Sequence, residues 1–439
     1  MQPGGHRARD VATRLQFAIG DTPTRRRASL TSMQRFLALL AAVLLAACTS
    51  QAPVPTPTSN DFGRSSITPG SGASPSPTAS PEPSPTPTPS PTANPKPIVT
   101  PSPTPSGPTF SQLIGQKLMV AMSGTTPTLD LLGRIRRGEV GGVILFGSNI
   151  SNATQLTALT KKLRAAAAAG GQPPLLISTD QEGGTVKRIS WIPPTLSPPQ
   201  MGASGSVSQA LDQGKETGVA MLGLGVNNDL APVADVPAST SSFIYQQGRA
   251  WSFSAATTTS LSDAFATGLE QGGVAPTMKH FPGLGYAIKN TDLNVVTLTQ
   301  SAATLNPGLD PYRAAISHGI PMIMLSNAIY TAWDSKNAAG WSHAIAIGLL
   351  RDTLGFRGVS ITDSLNGIGS AMGVSPKTLA IRAARAGTDM ILLTGSEAST
   401  KAAYTTLLAY AQSGYISRST LLASYARILA LKAAVAGGL

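Results

Sequence analysis

The sequence has 439 residues, of which 41% are hydrophobic and 12% are charged, and its formal net charge is +12. This apolar content allows a large buried core and excludes a wholly disordered chain. Part of the positive charge lies in the first 48 residues, and no cluster of basic residues with interleaved aromatics follows, so we expect no nucleic-acid partner.

Residues 1–48 predict an N-terminal extension that ends in a lipoprotein signal peptide. Four arginines between positions 25 and 35 precede an apolar run that is too short to span a bilayer and matches a signal-peptide h-region. The run ends in Leu-Ala-Ala-Cys, which resembles the bacterial lipobox, and its cysteine is Cys48, the only one in the sequence. The alternative is a buried apolar helix with an incidental thiol, and the composition of the next segment favours the lipobox.

Lipidation of Cys48 predicts an exported lipoprotein that is anchored in the cell membrane and faces the extracellular side. Met33 stands just before the apolar run and is an alternative start of translation. With Cys48 lipidated, the exported domain has no cysteine, so we expect no disulfide in it.

Residues 49–108 consist almost entirely of Pro, Ser, Thr, Ala and Gly. Such a segment cannot bury a core and favours extended polyproline conformations. We therefore expect a disordered linker that holds a domain away from a membrane, rather than a ligand for a proline-recognition module.

Residues 109–439 predict a single α/β domain. Eight short apolar runs, each bounded by Gly, Pro or polar residues, are typical of buried parallel strands, and amphipathic stretches lie between them. The runs lie at 117–122, 141–146, 174–179, 226–233, 275–281, 322–327, 359–364 and 390–395. Eight strand–helix units predict a (β/α)8 TIM barrel. A doubly wound open sheet is the competing fold, and the polar residues at the ends of most runs favour the barrel.

Charged residues stand at the ends of three of these runs. Asp180 follows the third run, Lys279 and His280 lie near the end of the fifth, and Asp363 lies near the end of the seventh. In a barrel these strand ends meet at one face, and a ring of donors and acceptors around a carboxylate suits the hydroxyls of a sugar. The structural alternatives are a helix cap for Asp363, a carboxylate that bonds glycine backbone for Asp180, and a satisfied core histidine for His280.

Five segments make the region from about residue 110 to residue 437 resemble glycoside hydrolase family 3, in particular its bacterial β-N-acetylhexosaminidases. They are GGVILFGSNI, STDQEGGTVKRI, GVNNDLAPVADV, TMKHFPGLG and LLRDTLGFRGVSITDSL. The resemblance implies a TIM-barrel domain of the family's N-terminal type. It also implies hydrolysis of O-glycosidic bonds of terminal, non-reducing, β-linked N-acetylhexosamine in cell-wall-type glycans.

The resemblance further implies roles for the matching residues. Asp363 falls on the family's nucleophile, which forms a covalent glycosyl-enzyme intermediate that water opens with net retention. Asp180, Arg188, Lys279 and His280 fall on positions that bind the sugar.

The sequence departs from the family where the general acid/base is expected. Counting without gaps places Asn290 and Asp292 at the positions of the family's Asp and His in the loop after strand five. Asp292 is a possible acid/base if burial or the charge of Asp363 raises its pKa above the ordinary value of about 4. The neighbouring Tyr286 and Ile288 are the expected source of that burial.

Other positions of the same face also differ. Leu284 and Asn327 stand where the family has histidines, and Ser364 stands where a second Asp is common. The stretch 251–253 reads Trp-Ser-Phe where the family usually has Arg-Ser-Phe. Arg249, two residues earlier, is therefore the candidate for the binding arginine.

Three functions stay open from the sequence: a hydrolase with Asp292 as acid/base, a slow hydrolase that depends on good leaving groups, and a catalytically impaired surface glycan-binding lipoprotein. Loss of general acid–base help costs about 10²–10⁴-fold in rate and does not erase the chemistry, so hydrolysis is the favoured interpretation. The expected partner is a carbohydrate and the expected state is a monomer. Neither a cofactor nor a metal is expected, since the four histidines form no cluster with metal-ligand spacing.

Overall fold

The computed structural model describes residues 107–437, and every structural statement below concerns this part of the chain. The predicted signal peptide with Cys48 and the predicted linker up to residue 106 lie outside the described residues. The first helix begins at a capping box, in which the Thr109 side chain accepts from the Gln112 N–H and the Gln112 side chain accepts from the Thr109 N–H.

The eight predicted strands form the parallel sheet of a TIM barrel. They are β1 (Leu118–Ala121), β2 (Gly142–Ile144), β3 (Leu176–Thr179), β4 (Asn228–Asp229), β5 (Ala275–Phe281), β6 (Met322–Leu325), β7 (Val359–Thr362) and β8 (Ile391–Leu393). Their order in the sheet is β7-β6-β5-β4-β3-β2-β1-β8, and all the pairings are parallel. A parallel bridge between Ile361 and Met390 joins β7 to the start of β8. Since this bridge closes the sheet, the open-sheet alternative is wrong.

Helices precede β1, lie between the strands and follow β8. They are α1 (Phe110–Gly115), α2 (Leu129–Arg136), α3 (Ala153–Ala169), α4 (Pro198–Ser204), α5 (Val207–Gly223), α6 (Phe243–Gln246), α7 (Ala255–Gln271), α8 (Ala302–Leu305), α9 (Asp310–His318), α10 (Leu365–Met372), α11 (Pro376–Ala386), α12 (Glu397–Gln412) and α13 (Arg418–Gly437), with a π-helix at Ala344–Thr353. Side chains of Asn152, Ser206 and Ser254 cap three of the longer helices by accepting a backbone N–H of the first turn.

Short elements lie in the loops between strands and helices. A two-stranded hairpin, Gln181–Gly183 with Val186–Lys187, follows β3 directly. A three-stranded sheet consists of Thr297–Leu298, Ile329–Tyr330 and Asp334–Ala338, and 3-10 turns lie at Gly147–Asn149, Asn306–Leu309 and Ala339–Trp341.

The core of the barrel is apolar, and α13 closes one end of it. Met119, Leu176 and Ile361 from the strands share one cluster with Ile428 and Leu431 of α13. A surface cavity shows where the helix lies, because Arg427 and Leu431 border it together with Pro321 and Gly358, the residues just before β6 and β7. The N-terminal ends of the strands are therefore covered, and the C-terminal ends are available for a site, as in other barrels.

Polar contacts fix α13 in this position. Arg427 pairs with Asp389 at 2.7 Å, and the buried Lys117 donates to Ser424 at 3.0 Å. Among the described residues, α13 alone has the length and apolar composition to cross a membrane, with 33% of its most apolar window buried. A helix packed against a protein core meets the same criterion, and Ile428 and Leu431 of α13 pack against the barrel interior.

Candidate active site

All the residues that the sequence proposed for the catalytic face line one cavity of about 290 Å³ at the C-terminal ends of the strands. These residues are Asp180, Arg188, Arg249, Lys279, His280, Asp292 and Asp363. The barrel brings together Asp180, Lys279, His280 and Asp363. These residues lie at or just after the ends of β3, β5 and β7, and parallel strands of a closed barrel end at the same rim. No group of three or more His, Cys, Asp or Glu side chains placed to hold a metal ion occurs in residues 107–437.

Lys279 lies at the centre of an ionic network on one wall of the cavity. Its Nζ is 2.7 Å from Asp180 Oδ1 and 2.6 Å from Glu182 Oε1. Arg249 donates twice to Glu182, from Nη2 to Oε1 at 2.7 Å and from Nε to Oε2 at 2.8 Å. Arg188 Nη2 lies 3.8 Å from the other oxygen of Asp180.

The network keeps Glu182 and Lys279 charged despite their burial. Burial alone raises the pKa of the Glu182 carboxyl, but the Arg249 and Lys279 cations outweigh this effect and hold the pKa well below its usual range. Burial lowers the pKa of the Lys279 ammonium, and the carboxylates of Asp180 and Glu182 raise it above its ordinary value on balance. The wall thus presents fixed charges and hydrogen-bonding groups to a polar ligand.

Arg249→Met is expected to lower the free energy of unfolding by about 3 kcal/mol, because it leaves the buried Glu182 carboxylate with one cation fewer. Urea denaturation followed by circular dichroism measures this loss. Arg313→Met is the matched control, since Arg313 pairs with Asp310 at 2.7 Å on the surface, where the two side chains are 39% and 50% exposed. The control is expected to lose less than about 1 kcal/mol. Equal losses in the two variants would contradict the role of the Glu182 pair.

His280 is held by the buried Asp235. His280 Nδ1 lies 2.7 Å from Asp235 Oδ2, and the backbone N–H groups of His280 and Leu284 donate to Oδ1 at 3.3 and 2.7 Å. A carboxylate beside Nδ1 favours the ring proton on that nitrogen. In the neutral ring, Nε2 is then the nitrogen that can accept a hydrogen bond. Since His280 lines the cavity, Asp235 acts as its positioning residue.

Asp235→Asn is expected to lower kcat/KM by about 10- to 100-fold, since a hydrogen bond to a charged group is worth about 1.5–3 kcal/mol. The amide of asparagine would also donate to Nδ1 and move the ring proton to Nε2. The ¹⁵N chemical shifts of the His280 ring show which nitrogen carries the proton. A purely structural defect would not exchange the shifts of the two nitrogens.

Asp229→Asn is the matched control for Asp235→Asn. Asp229 is fully buried beside the same strand ends, and its Oδ1 accepts the Gln181 N–H at 2.9 Å. Burial, reinforced by Asp180 and Glu182, raises the pKa of Asp229 to about 8, so it is mainly neutral at pH 7. An asparagine at this position is also neutral and also offers an acceptor to the Gln181 N–H. We therefore expect little change in kcat/KM for Asp229→Asn. Equal losses in both variants would show a packing effect and overturn the role of Asp235.

Asp363 directly follows β7 and is half-buried at the rim of the cavity. Its backbone N–H donates to Leu325 O at 2.9 Å, which extends the pairing of β7 with β6 by one residue. The Ser364 N–H donates to Asp363 Oδ1 at 2.7 Å. The Ser364 hydroxyl lies 2.7 Å from that of Thr394, so the backbone on which Asp363 stands is tied to the loop after β8.

Asp292 reaches the same cavity from the loop after β5. Its backbone N–H donates to Asn290 Oδ1 at 2.8 Å, and Asn327 Nδ2 lies 3.5 Å from Asp292 Oδ1. Burial raises the pKa of Asp292 to about 7, and the negative charge of Asp363 adds to this rise. Asp292 thus has the raised pKa that the sequence analysis expected, and the charge of Asp363 is its second cause after burial.

The source of the burial differs from the sequence expectation. Ile288 is 65% exposed, and Tyr286 lines a different cavity, next to Pro282 and Gly308. Asp292 instead packs against α10, where a Cβ added to Gly367 would collide with the Asp292 carbonyl oxygen. This helix lies more than 70 residues away in sequence, so the contact is tertiary and does not come from the adjacent loop residues.

Arg249, the arginine that the sequence proposed in place of one at position 251, lines the cavity, whereas Trp251 does not. Trp251 is in the core, where its Nε1–H donates to Val233 O at 2.7 Å and its ring meets Phe265 edge-on at 5.9 Å. Arg249 lines the cavity, so the cationic group lies two residues before the counted position.

Sequence reasoning missed two residues of the site, Glu182 and Asp235. Both lie in segments that carry the family resemblance, STDQEGGTVKRI and GVNNDLAPVADV. Their charge was visible, but no pattern of spacing indicated that they bind Arg249 and His280. His318 and His343 are not among the residues that line this cavity: His318 Nδ1 is 2.7 Å from Asp263, and His343 Nδ1 is 3.1 Å from Ala386 O.

Comparison with known proteins identifies relatives of the whole described domain. Residues 111–431 match the glycosyl hydrolase family 3 N terminal domain. An uncharacterized secreted glycosyl hydrolase of Arthroderma benhamiae is 35% identical over 326 residues, which cover 72% of this chain and 92% of that protein. A β-hexosaminidase of Methylobacillus flagellatus is 33% identical over 293 residues, or 63% of this chain and 79% of that protein.

A solved structure agrees with these matches. The glycoside hydrolase family 3 β-N-acetylglucosaminidase of a Paenibacillus species superposes with a TM-score of 0.72 at 32% identity. The match covers 75% of this chain and 63% of the Paenibacillus chain, so this chain spans less than two thirds of that longer protein.

Proposed function

The chain belongs to glycosyl hydrolase family 3 and is a glycoside hydrolase, and from this premise we propose that it releases terminal, non-reducing, β-linked N-acetylhexosamine from cell-wall-type glycans. The names of the β-hexosaminidase and β-N-acetylglucosaminidase relatives support this sugar class. The observation that carries the proposal is the cavity that Asp292 and Asp363 share with the ionic network of Asp180 and Lys279.

The terminal sugar binds against the ionic network. Asp180 accepts hydrogen bonds from sugar hydroxyls, and Arg188, Lys279, His280 and Arg249 donate to them or hold the acceptors in place. Because Lys279, Glu182 and Arg249 are already paired at 2.6–2.8 Å, these groups need little reorganisation when the sugar enters.

Hydrolysis proceeds in two steps with net retention. Asp363 attacks the anomeric carbon while protonated Asp292 transfers its proton to the leaving oxygen, which gives a glycosyl-enzyme ester and a free alcohol. Ionised Asp292 then takes a proton from water as the water oxygen attacks the anomeric carbon and the Asp363 carboxylate leaves. A pKa of about 7 suits Asp292 to both steps, since each protonation state is well populated near neutral pH.

The test uses 4-nitrophenyl β-N-acetylglucosaminide and 4-nitrophenyl β-glucoside with the purified domain. We expect turnover of the first in preference to the second, and ¹H NMR of the first-formed sugar is expected to show the β-anomer. An α-anomer would rule out the two-step mechanism. A protein inert on both, whose melting temperature still rises with N-acetylglucosamine, would instead be a glycan-binding lipoprotein.

We further propose that the protein is exported and held as a monomer at the cell membrane by a lipid on Cys48, facing the extracellular side. The sequence before residue 49 supports the anchor, and the secreted relative supports export. In a bacterial host, Cys48→Ser is expected to move the protein from the membrane fraction to the medium or to block its processing. Membrane association unchanged in this variant would contradict the anchor.

A further inference from the structure

The segment 243–253 separates the catalytic cavity from a second cavity of about 570 Å³. Phe243, Gln247 and Arg249 line the catalytic cavity, whereas Tyr245 and Phe253 line the second one. Side chains of one short segment therefore line both cavities, and this segment forms a wall between them.

The second cavity carries an exposed aromatic pair. Tyr245 is 42% exposed and Phe253 is 47% exposed, and their ring centroids are 4.8 Å apart with an interplanar angle of 38°. Exposed apolar surface that lines a concave site marks a binding site more often than a chance feature. Gln246 is exposed and lines the same cavity, where its amide adds a donor and an acceptor to the apolar faces.

The support beneath this pair is tightly packed. Trp251 lies in the core between the two exposed rings in sequence, and a Cβ added to Gly202 of α4 would collide with the Trp251 carbonyl oxygen. Ile244, next to Tyr245, is fully buried. Because buried neighbours fix the backbone on both sides, the two rings are presented with little conformational freedom to lose on binding.

We propose that this aromatic cavity, lined by Tyr245, Gln246 and Phe253, is a second carbohydrate site that binds sugar residues of the same glycan beyond the one that is cleaved. The inference rests on the proposed function, because it takes the occupant from the sugar in the catalytic cavity. A pyranose ring has an apolar face of C–H groups that packs on an aromatic ring and a rim of hydroxyls that pairs with an amide. A glycan chain that leaves the catalytic cavity over the wall formed by 243–250 meets this pair next.

The experiment measures retention on chitin, a polymer of β-linked N-acetylglucosamine without peptide, in an Asp363→Asn background that cannot consume the polymer. The double variant Tyr245→Ala, Phe253→Ala is expected to bind chitin about tenfold more weakly, which corresponds to ~1.4 kcal/mol. In the catalytically active background, the ratio of kcat/KM for N-acetylglucosamine hexamer to that for the 4-nitrophenyl glycoside is expected to fall by a similar factor.

Tyr410→Ala is the matched control, because Tyr410 is 39% exposed and pairs with Tyr415 at 5.0 Å on α12 and the turn after it. It is expected to retain wild-type affinity for chitin, and melting temperatures check the folding of all variants. Equal chitin binding by the double variant and the control would overturn the proposal. Failure of the wild type to bind chitin would overturn it too.

The two proposals fail in different ways. If the wild type is inert on the 4-nitrophenyl glycoside and the double variant loses chitin binding, the hydrolytic assignment is refuted and the second site is kept. A wild-type protein that is active on the glycoside while the double variant binds chitin normally refutes only the second site.

Discussion

Asp363→Asn is expected to lower kcat/KM for 4-nitrophenyl β-N-acetylglucosaminide by about 10⁴-fold or more, which is the scale of loss when a covalent nucleophile is removed. The amide keeps the shape of the side chain and its acceptor for the Ser364 N–H, 2.7 Å away in the wild type. It lacks the negative charge that forms the bond to the anomeric carbon. A loss of this size without a change in melting temperature would therefore come from the chemistry and not from the fold.

Two measurements sharpen this result. Mass spectrometry of wild type treated with a slow fluorinated glycoside is expected to show a sugar attached to the peptide that contains Asp363. Asp352→Asn is the control, since Asp352 is exposed on the π-helix that precedes β7, and its rate is expected to stay at the wild-type level. An active Asp363→Asn variant, or a label on another residue, would remove the nucleophile assignment.

Asp292→Ala is expected to lower the rate on alkyl β-N-acetylglucosaminides by about 10²–10⁴-fold, the usual contribution of general acid–base catalysis. The 4-nitrophenyl glycoside should lose much less in its first step, because its leaving group needs little protonation. Added azide, which attacks without a general base, is expected to restore turnover and give a β-glycosyl azide. Lys289→Ala serves as the control for the loop, because Lys289 is exposed in the same loop and is not among the residues that line the cavity. Equal losses on both substrate types would sink the acid/base role.

The pH dependence has a defined sign. The raised pKa of about 7 means that Asp292 is increasingly protonated below pH 7 and increasingly ionised above it. Proton donation to an alkyl leaving group therefore weakens as the pH rises through about 7, and this descending limb of kcat/KM should vanish in Asp292→Ala. A descending limb that persists in the variant would have to arise from another group.

The same pKa makes a prediction for stability. Between the unfolded value of 3.8 and the folded value of about 7, the folded state binds more proton than the unfolded state. The stability contributed by the neutral carboxyl is therefore present below pH 3.8 and is lost as the pH rises through about 7. Asp292→Asn should raise the melting temperature at pH 8 and leave it nearly unchanged at pH 3.5, as calorimetry would show.

Much of the fold was readable from the sequence because it depends on local patterns. Most barrel strands are short apolar runs buried on both faces, so KLMVAM or MIMLSN marks a strand without reference to its neighbours. Closure of the sheet was an inference from the number of runs. The bridge from Ile361 to Met390 that closes it depends on the curvature of the whole sheet.

The site was predictable where residues stand at strand ends and less so where loops place them. Asp180, Lys279 and His280 converge because the barrel forces the ends of β3 and β5 together. Arg249 was displaced by two positions in the count because the segment 243–253 turns Trp251 into the core. Asp292 contacts Gly367 on a distant helix, and no local pattern encodes such a contact.

The position of α13 across the floor of the barrel has a practical use. Leu422 near its start is 38% exposed and lies on the helix that covers the end away from the catalytic cavity. Since residues 107–437 contain no native thiol, Leu422→Cys would give a single point of attachment in the domain. If the protein were immobilised on a maleimide resin through the sulfur of this cysteine, the catalytic cavity would face away from the resin. Insoluble glycan fragments in the flowing liquid could then reach it.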